Sequence, residues 1–420
     1  MSAPDLQRVD GRDSSATIDG RSAWPDIESV GALAGIRVLD LSRVLAGPYA
    51  AQMLSDHGAN VLKVEGPAGD ETRGWGPPFD DEGISAYYRG MNRNKRNISL
   101  DLNSREGREV LEHLLLGADV VVENFKAGTM ARWGFDYDTV LAPANPGLVY
   151  CRITGFGVDG PMGGDPGYDA VLQSFGGLMS VNGYPDRSPL RVGVPVVDHV
   201  AAHLAFSGTL LATIERMNSG VGQLVDIALL DAVVSLLLPH SANWIVDGSV
   251  PQRTGDLHPT VVPYQVFGTA DGELFVSAAN DRQFASLAAV LGVPELTRDV
   301  RFRTNGARNT NRIELVDILR PAIAEWTRNE LAARLSEVGV PSSPVNTVDE
   351  ALQSAQVIHR GLVVDTPEYR GIGVPISLSR SGSQAPSNAA ARGAHTDVTL
   401  RAMGYSSADL QRLRTSGAID

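Results

Sequence analysis

Cysteine is almost absent from this sequence, since Cys151 is the only one among 420 residues. A single cysteine cannot form a disulfide within the chain, which suits a reducing compartment, and we expect a cytoplasmic protein. Cys151 follows the apolar residues 148–150 in a predicted strand, and Arg152 is the only cation beside it in the sequence. A buried, inert thiol is therefore favoured over a nucleophilic one.

Long apolar runs and an excess of positive charge are also missing. No apolar run approaches the about 20 residues that span a membrane, and the first residues lack the apolar core of a secretory signal. The net charge of −13 argues against broad binding to nucleic acid or to a bilayer. We therefore expect neither nucleic acid nor membrane as a partner. Residues 1–28 are interpreted as a flexible N-terminal extension.

Glycine is missing where a dinucleotide site would need it. Residues 36–67 predict a strand, a helix that starts at Ala46-Gly47-Pro48 and a second strand, which together form the first βαβ unit of a nucleotide-binding sheet. The phosphate-binding Gly-x-Gly-x-x-Gly would fall on residues 41–46, which read LSRVLA. The sequence therefore predicts the βαβ scaffold without a phosphate-binding glycine loop, which disfavours a dinucleotide-dependent oxidoreductase.

Strands and helices alternate up to about residue 240, which predicts a doubly wound parallel sheet. Ligands of such sheets lie beyond the carboxyl ends of the strands, so residues 42–46, 123–125 and 154–157 should share one rim. From about Trp244 onward, a hairpin and helices with capping boxes follow. The predicted domains are an α/β Rossmann-like large domain over residues 29–240, completed by residues 350–420, and a smaller α+β domain over residues 241–349.

One short stretch, residues 89–96 (RGMNRNKR), holds four cations and no acid in an acidic chain. Such a run is typical of a solvated surface. It could also form a pocket for an anionic small molecule, because cations make strong charge-assisted hydrogen bonds to phosphate and carboxylate. The residues alone leave both interpretations open.

Asp198 stands immediately before an apolar helix predicted over residues 199–217. Its plain interpretation is an N-cap. In the functional interpretation, the helix amides keep the carboxylate ionised, and it attacks an activated acyl group. The eight histidines show no convincing metal-ligand spacing, and no metal site is expected. Cap and nucleophile both remain open at this point.

Several ordered segments resemble the family III CoA-transferases, the group that includes formyl-CoA transferase. The likeness runs from about Gly35 to the C-terminus, in the segments GIRVLDLSRVLAGP, GANVLKVEGP, GDETRGW, NRNKRNISLDL, ADVVVENFKAGTMARWG, GYDAVLQSFGG, RVGVPVVDHV and GAHTDVTLRAMG. The resemblance implies a homodimer of two interlocked chains with no permanently bound cofactor. The substrates it implies are an acyl-CoA and a small carboxylic acid.

The resemblance also assigns roles to individual residues. Asp198 would form an anhydride with the acyl group, and Trp75, Tyr168 and Asp169 would line the acyl site. Phe125 would lie against the adenine, while Arg132 and residues 89–96 would meet the phosphates. The acceptor's second carboxylate would need a cation, for which Arg43, Arg73 and Arg282 are candidates. The residues assigned to CoA are Arg43, Val44, Leu45, Ala46, Leu100, Asn124, Phe125, Thr129 and Arg132.

Two further segments bear on the substrate. Residues 259–265 (PTVVPYQ) and 280–284 (NDRQF) resemble the branch that moves CoA between dicarboxylates such as succinate and glutarate. The similar α-methylacyl-CoA racemases carry Gly-His-Asp where this chain has Gly167-Tyr168-Asp169. Tyrosine, with an ordinary pKa of about 10, is a poor proton shuttle near neutral pH, which favours a transferase. A non-catalytic acyl-CoA-binding protein is the other alternative.

Overall fold

The computed structural model describes residues 18–25 and 29–420. Its contacts divide the chain into two compact units. The first unit holds the described residues up to 172 together with 195–235 and 362–420, and the second holds 173–194 and 236–361. Residues 173–194, 236–240 and 350–361, which the sequence analysis assigned to the large domain, therefore belong to the second unit.

The elements follow one another along the chain with short connections. The strands are β1 (Arg37–Asp40), β2 (Asn60–Glu65), β3 (Arg96–Ser99), β4 (Val120–Glu123), β5 (Val149–Thr154), β6 (Leu224–Ala228), β7 (Tyr264–Gly268), β8 (Glu273–Ser277), β9 (Ser342–Pro344), β10 (Val363–Thr366) and β11 (Tyr369–Ile372). The α-helices are α1 (Ala46–Asp56), α2 (Ala86–Met91), α3 (Arg105–Gly117), α4 (Thr129–Arg132), α5 (Ala142–Ala144), α6 (Asp169–Phe175), α7 (Leu178–Val181), α8 (Val196–Ser219), α9 (Leu229–Ser235), α10 (His240–Asp247), α11 (Asp281–Val290), α12 (Asn305–Thr310), α13 (Arg312–Ala324), α14 (Arg328–Glu337), α15 (Val348–Gln353), α16 (Ala355–His359), α17 (Thr396–Ala402) and α18 (Ser407–Thr415).

The first unit is built on a six-stranded sheet in the order β3-β2-β1-β4-β5-β6, and every neighbouring pair is parallel. This is the strand order of the Rossmann fold. In the register, Leu39 of β1 lies between Leu62 of β2 and Val121 of β4, and all three are fully buried. The predicted α/β class and parallel sheet are therefore confirmed. The strands read as apolar runs because helices cover both faces.

Helix α2 and strand β3 follow β2, and the sequence analysis predicted neither of them. The pattern was hidden because β3 begins with Arg96 and Asn97, which look like surface residues. In the structure Arg96 donates hydrogen bonds to the Ala23 carbonyl (2.7 Å) and to Thr399 Oγ1 (2.6 Å), and Asn97 donates to Glu65 Oε1 (2.6 Å). Polar side chains with such partners can be buried on an edge strand.

The core of the first unit lies between the sheet, α3 and the C-terminal helices α17 and α18. Leu100, which follows β3, is 1% exposed in this core. Near the N-terminus, residues 20–23 form a 3₁₀ helix against α3, where a Cβ on Gly20 would lie 1.6 Å from the His113 carbonyl oxygen. The prediction of a flexible extension is therefore wrong for residues 18–25. Its remaining residues, 1–17 and 26–28, lie outside the described part of the chain.

The second unit contains a three-stranded antiparallel sheet, β7-β8-β9, packed with helices α11 to α14 around its own apolar core. The predicted hairpin is present as β7 and β8. Helix α15 begins with a complete capping box, in which Thr347 Oγ1 accepts from the Glu350 amide and the Glu350 carboxylate accepts from the Thr347 amide. Local capping signals were therefore sufficient to locate this helix.

Helix α8 is long and apolar enough, by length and composition, to cross a membrane. It packs against α1, β5, β6 and α9 within the first unit, and 44% of its most apolar stretch is buried there. Core helices of soluble proteins pass the same test. Its apolar character is therefore accounted for, in part, by packing.

Candidate active site

A cavity of about 420 Å³ opens at the carboxyl ends of β1, β4 and β5 in the first unit. It lies where Rossmann-type sheets bind ligands. Nine residues predicted from the sequence line it together: Arg43, Val44, Leu45, Ala46, Asn124, Phe125, Thr129, Tyr168 and Asp198. The cavity thus brings the turn after β1, the end of β4 and the start of α8 to one place.

The turn between β1 and α1 has a strained backbone at Val44, whose φ is +68°. A β-branched residue rarely adopts this left-handed conformation, and such strain is concentrated at ligand sites. Asn124 holds the turn from β4: its Oδ1 accepts from the Arg43 amide (2.8 Å) and its Nδ2 donates to the Arg43 carbonyl (2.7 Å). Gly47 is required beside it, because a Cβ there would lie 2.3 Å from Ser42 Cβ.

A buried network of charged residues also supports the turn between β1 and α1. Lys63 Nζ donates to the Ser42 carbonyl (2.8 Å) and pairs with Asp70 (3.2 Å). Lys95 Nζ pairs with Asp40 (2.8 Å), whose Oδ1 accepts from the Ser42 amide (3.0 Å). Burial lowers the pKa of Lys95 to about 8, although Asp40 opposes that shift. The main chain of the turn is therefore held by ion pairs instead of by glycines.

One end of the cavity combines an aromatic ring with cations. Phe125 packs edge-on against Trp133, with ring centroids 5.2 Å apart, and the Arg43 guanidinium lies 5.5 Å from the Phe125 centroid. Lys126 is exposed and also lines the cavity, while Arg132 donates to Thr129 Oγ1 (2.8 Å). A ring that can stack on a base, surrounded by cations, suits a phosphorylated nucleotide.

Asp198 is not the cap of α8, so that interpretation is wrong. The helix begins at Val196, its N-cap residue is Pro195, and Asp198 is its third residue. The capping oxygen comes from α6: Asp169 Oδ1 accepts from the Val197 amide at 2.8 Å. Pro195 has no side-chain oxygen that could accept from this amide, so Asp169 accepts from it instead.

The helix amides do not keep the pKa of Asp198 low in this structure. Burial, and secondly the charge of Asp169, raise the pKa of Asp198 from 3.8 to about 7. Desolvation and a like charge therefore outweigh the favourable helix dipole. Burial and then the charges of Asp198 and Asp169 raise the pKa of Tyr87 to about 12, which places this phenol near the carboxylate pair.

The other predicted acyl-site residues differ in their exposure and in their contacts. Tyr168 lines the cavity and is 60% exposed, whereas Asp169 is buried in its capping role. Trp75 packs edge-on against Tyr87, with centroids 5.5 Å apart, and is not among the residues that line the cavity.

Four further predicted residues do not line the cavity. Leu100 lies in the apolar core, so the assignment of this side chain to CoA is wrong. Arg73 pairs with Glu65 (2.8 Å) and lies 3.9 Å from the Tyr88 centroid, so it is not available to an acceptor carboxylate. Arg132 contacts Thr129 beside the cavity and is not among its lining residues, and Arg282 lies exposed on α11 in the second unit.

The basic run at residues 89–96 is neither a solvated surface nor a phosphate pocket. Each of its cations has partners within the first unit, and the carboxylates that pair with Arg93 and Lys95 are distant in sequence. The ion pairs are Arg89 with Asp80 (2.6 Å) and Glu82 (2.7 Å), Arg93 with Asp56 (2.6 Å), and Lys95 with Asp40 (2.8 Å), while Arg96 contacts Ala23 and Thr399. Both sequence interpretations of the run are therefore wrong.

The sequence analysis missed Lys126 and Tyr87. Lys126 directly follows Asn124-Phe125, so its place just beyond a predicted strand could have revealed it. Tyr87 carried no such signal, because its position depends on α2, which was not predicted. Among the described residues, no group of three or more His, Cys, Asp or Glu is arranged to hold a metal ion.

Comparisons with known proteins agree on one family. The sequence model of CoA-transferase family III matches residues 33–396. The chain is 43% identical over 349 residues to the succinate–glutarate CoA-transferase of Agrobacterium fabrum, covering 82% of this chain and 87% of that protein. It is 37% identical over 413 residues to the succinyl-CoA:glutarate CoA-transferase of Mus musculus, covering 96% and 94%. A solved CAIB/BAIF family protein from Brucella suis has a TM-score of 0.83 at 40% identity, over 89% of this chain and 100% of that one.

Proposed function

The chain belongs to the family III CoA-transferases, and on that premise we propose that it moves CoA from succinyl-CoA to a second small dicarboxylic acid through an anhydride on Asp198. The names of the similar Agrobacterium and mouse proteins support succinyl-CoA as donor and a dicarboxylate such as glutarate as acceptor. The observation that carries the proposal is a single cavity that holds both a carboxyl group and a ring with cations.

The CoA nucleotide occupies the end of the cavity formed by the turn after β1 and by the end of β4. Phe125 lies against the adenine, and Arg43 and Lys126 meet the phosphates as charge-assisted partners. The main chain at residues 43–46, held by Asn124 and the buried ion pairs, presents a preformed surface to the ligand. A preformed surface reduces the cost of ordering on binding.

The thioester end of the donor lies against Asp198. A carboxylate oxygen of Asp198 attacks the thioester carbonyl carbon, the C–S bond breaks, and CoA leaves as the thiolate. The thiolate then attacks the aspartyl carbonyl of the anhydride, which releases succinate and leaves CoA as a thioester on Asp198. The acceptor carboxylate attacks that thioester, which forms a second anhydride on Asp198 and releases the CoA thiolate. The thiolate then attacks the acceptor carbonyl of this anhydride, which forms the CoA thioester of the acceptor. These steps restore the Asp198 carboxylate and involve no net oxidation, so we propose no permanently bound cofactor.

The acceptor's second carboxylate needs a cation. Of the three arginines considered from the sequence, Arg43 lines the cavity, Arg73 is engaged with Glu65, and Arg282 belongs to the second unit. Because Arg43 already meets the CoA phosphates beside Phe125 in this proposal, none of the three is assigned to the acceptor.

The active form is proposed to be an interlocked homodimer. The outer face of α8 exposes large apolar side chains, namely Leu204, Leu211, Ile214 and Met217. Several exposed apolar side chains on one helix are typical of an interaction surface. A second copy of the chain would cover it. Light scattering at working concentration tests this, and a mass of one 44.6 kDa chain would contradict it.

The nucleophile is tested by Asp198→Ala with labelled succinyl-CoA and glutarate. Transfer should be abolished in the variant, and hydroxylamine should convert Asp198 of the wild type, incubated with succinyl-CoA, into a hydroxamate that is read from the mass of the Asp198 peptide. Turnover close to wild type in Asp198→Ala would exclude this mechanism. CoA binding without exchange of label in the wild type would instead support a non-catalytic acyl-CoA-binding protein. Exchange of the α-proton of a 2-methylacyl-CoA would support the racemase alternative.

A further inference from the structure

The helix that carries Asp198 has no cap in its own sequence. Its N-cap residue, Pro195, offers no side-chain acceptor, and the first amides of a helix need acceptors from elsewhere. Asp169, on the separate helix α6, supplies one by accepting from the Val197 amide at 2.8 Å. Asp169 is 8% exposed, so this bond is shielded from water. The first turn of α8, and with it Asp198, is thereby tied to α6.

The same carboxylate also acts on Asp198 through its charge. Two carboxylates at close range disfavour each other's ionised form. Asp169 is the neighbouring charge that, after burial, raises the pKa of Asp198 to about 7. Asp169 itself is not among the residues that line the cavity.

Other titratable groups surround the pair. Tyr87 faces it from α2, and it stays neutral because burial and the two carboxylates raise its pKa to about 12. On α8 itself, burial and then His203 lower the pKa of His199, whose ring packs against Tyr49 of α1 at 5.2 Å. On the other elements that pack against α8, Arg152 of β5 pairs with Asp226 of β6 (3.1 Å) and Asp231 of α9 is exposed.

We propose that Asp169 is a positioning residue for CoA transfer and not a substrate contact: from the separate helix α6 it caps the helix that carries the nucleophile. This inference rests on the proposed role of Asp198. An aspartate carboxyl has an ordinary pKa of about 3.9, whereas a thiol has a pKa of about 8.5. The carboxylate is therefore a far weaker base than the thiolate that it must displace. A raised pKa of Asp198 reduces this difference in basicity and so lowers the free-energy cost of the first attack.

Two substitutions separate the cap from the charge. Asp169→Asn keeps an oxygen that can accept from the Val197 amide but removes the negative charge. Asp169→Ala removes both. Asp231→Asn is the matched control, because it removes an exposed carboxylate from the first turn of a neighbouring helix. Each variant is measured as the full chain for kcat and KM between pH 5 and 9.

In Asp169→Asn, the acid limb of kcat should move to lower pH by about one unit or more, since a like charge has been removed. The kcat at pH 8 should fall, with KM for succinyl-CoA within about twofold of wild type. In Asp169→Ala, kcat should fall about 100-fold, because the nucleophile loses its alignment as well. The Asp231→Asn profile should match wild type.

An unshifted acid limb in Asp169→Asn, or a raised KM with unchanged kcat, would overturn the positioning role. Asp198→Ala is measured in parallel to separate the two proposals. If Asp198→Ala retains turnover, the nucleophile itself is wrong. If Asp198→Ala is inactive and traps no acyl group while both Asp169 variants behave like wild type, only the role of Asp169 is wrong.

Discussion

Replacing Asp198 with Asn should stabilise the protein at pH 8 while it abolishes transfer. The folded chain holds this carboxyl with a pKa of about 7, against 3.8 for an unperturbed group, so its ionised form is disfavoured by folding. At about 1.4 kcal/mol per pH unit, that difference corresponds to about 4 kcal/mol above pH 7. Asp198 is only half-buried, and screening by solvent reduces the expected gain to about 2 kcal/mol.

The sign of the effect sets its pH dependence. The folded pKa is raised, so the destabilisation is complete above about pH 7, declines as pH falls towards 3.8, and is absent below that value. At pH 5.5 about half of the gain in Asp198→Asn should remain. The assay is the free energy of unfolding in urea at pH 8 and pH 5.5. Asp159→Asn, which alters an exposed loop carboxylate, should change stability by less than about 0.5 kcal/mol. A loss of stability in Asp198→Asn at pH 8, or a gain that does not depend on pH, would refute the reasoning.

Transfer by the wild type should decline as pH falls below about 7, because Asp198 must be ionised to attack; a flat kcat profile between pH 5 and 8 would contradict this. Asn124→Ala should raise KM for acyl-CoA about tenfold, since two hydrogen bonds to the Arg43 main chain are lost, and steady-state kinetics with Asn124→Asp as a partial substitute would test it. Lys63→Met should cost about 3 kcal/mol of unfolding free energy, measured in urea, because it leaves a buried carboxylate unpaired. Cys151 should resist N-ethylmaleimide at pH 8 in the native protein and react once unfolded, because burial raises its pKa to about 12; modification of the native protein, read by mass, would count against this.

The prediction of the fold succeeded where the signal was local. The helix start at Ala46-Gly47-Pro48, the capping box at Thr347 and the hairpin of β7 and β8 each depend on a few neighbouring residues, and the structure contains all three. The ordered segments of the family placed Asp198, Asn124 and Phe125, and the structure brings these residues to one cavity. Strand β3 was not predicted, because its polar side chains look like surface residues unless their hydrogen-bond partners are known.

The sequence by itself therefore determined the α/β class, the carboxyl-end rim and the family. Only the tertiary structure decided the charge state and the contacts of the site. Within the basic run at residues 89–96, Arg93 and Lys95 form buried ion pairs with Asp56 and Asp40. Glu65 pairs with Arg73, and Asp169 caps the helix that carries Asp198. The physical reason is that periodicity and capping act over a few residues along the chain. Desolvation and Coulomb interactions depend on which residues meet in space, whatever their separation in the sequence.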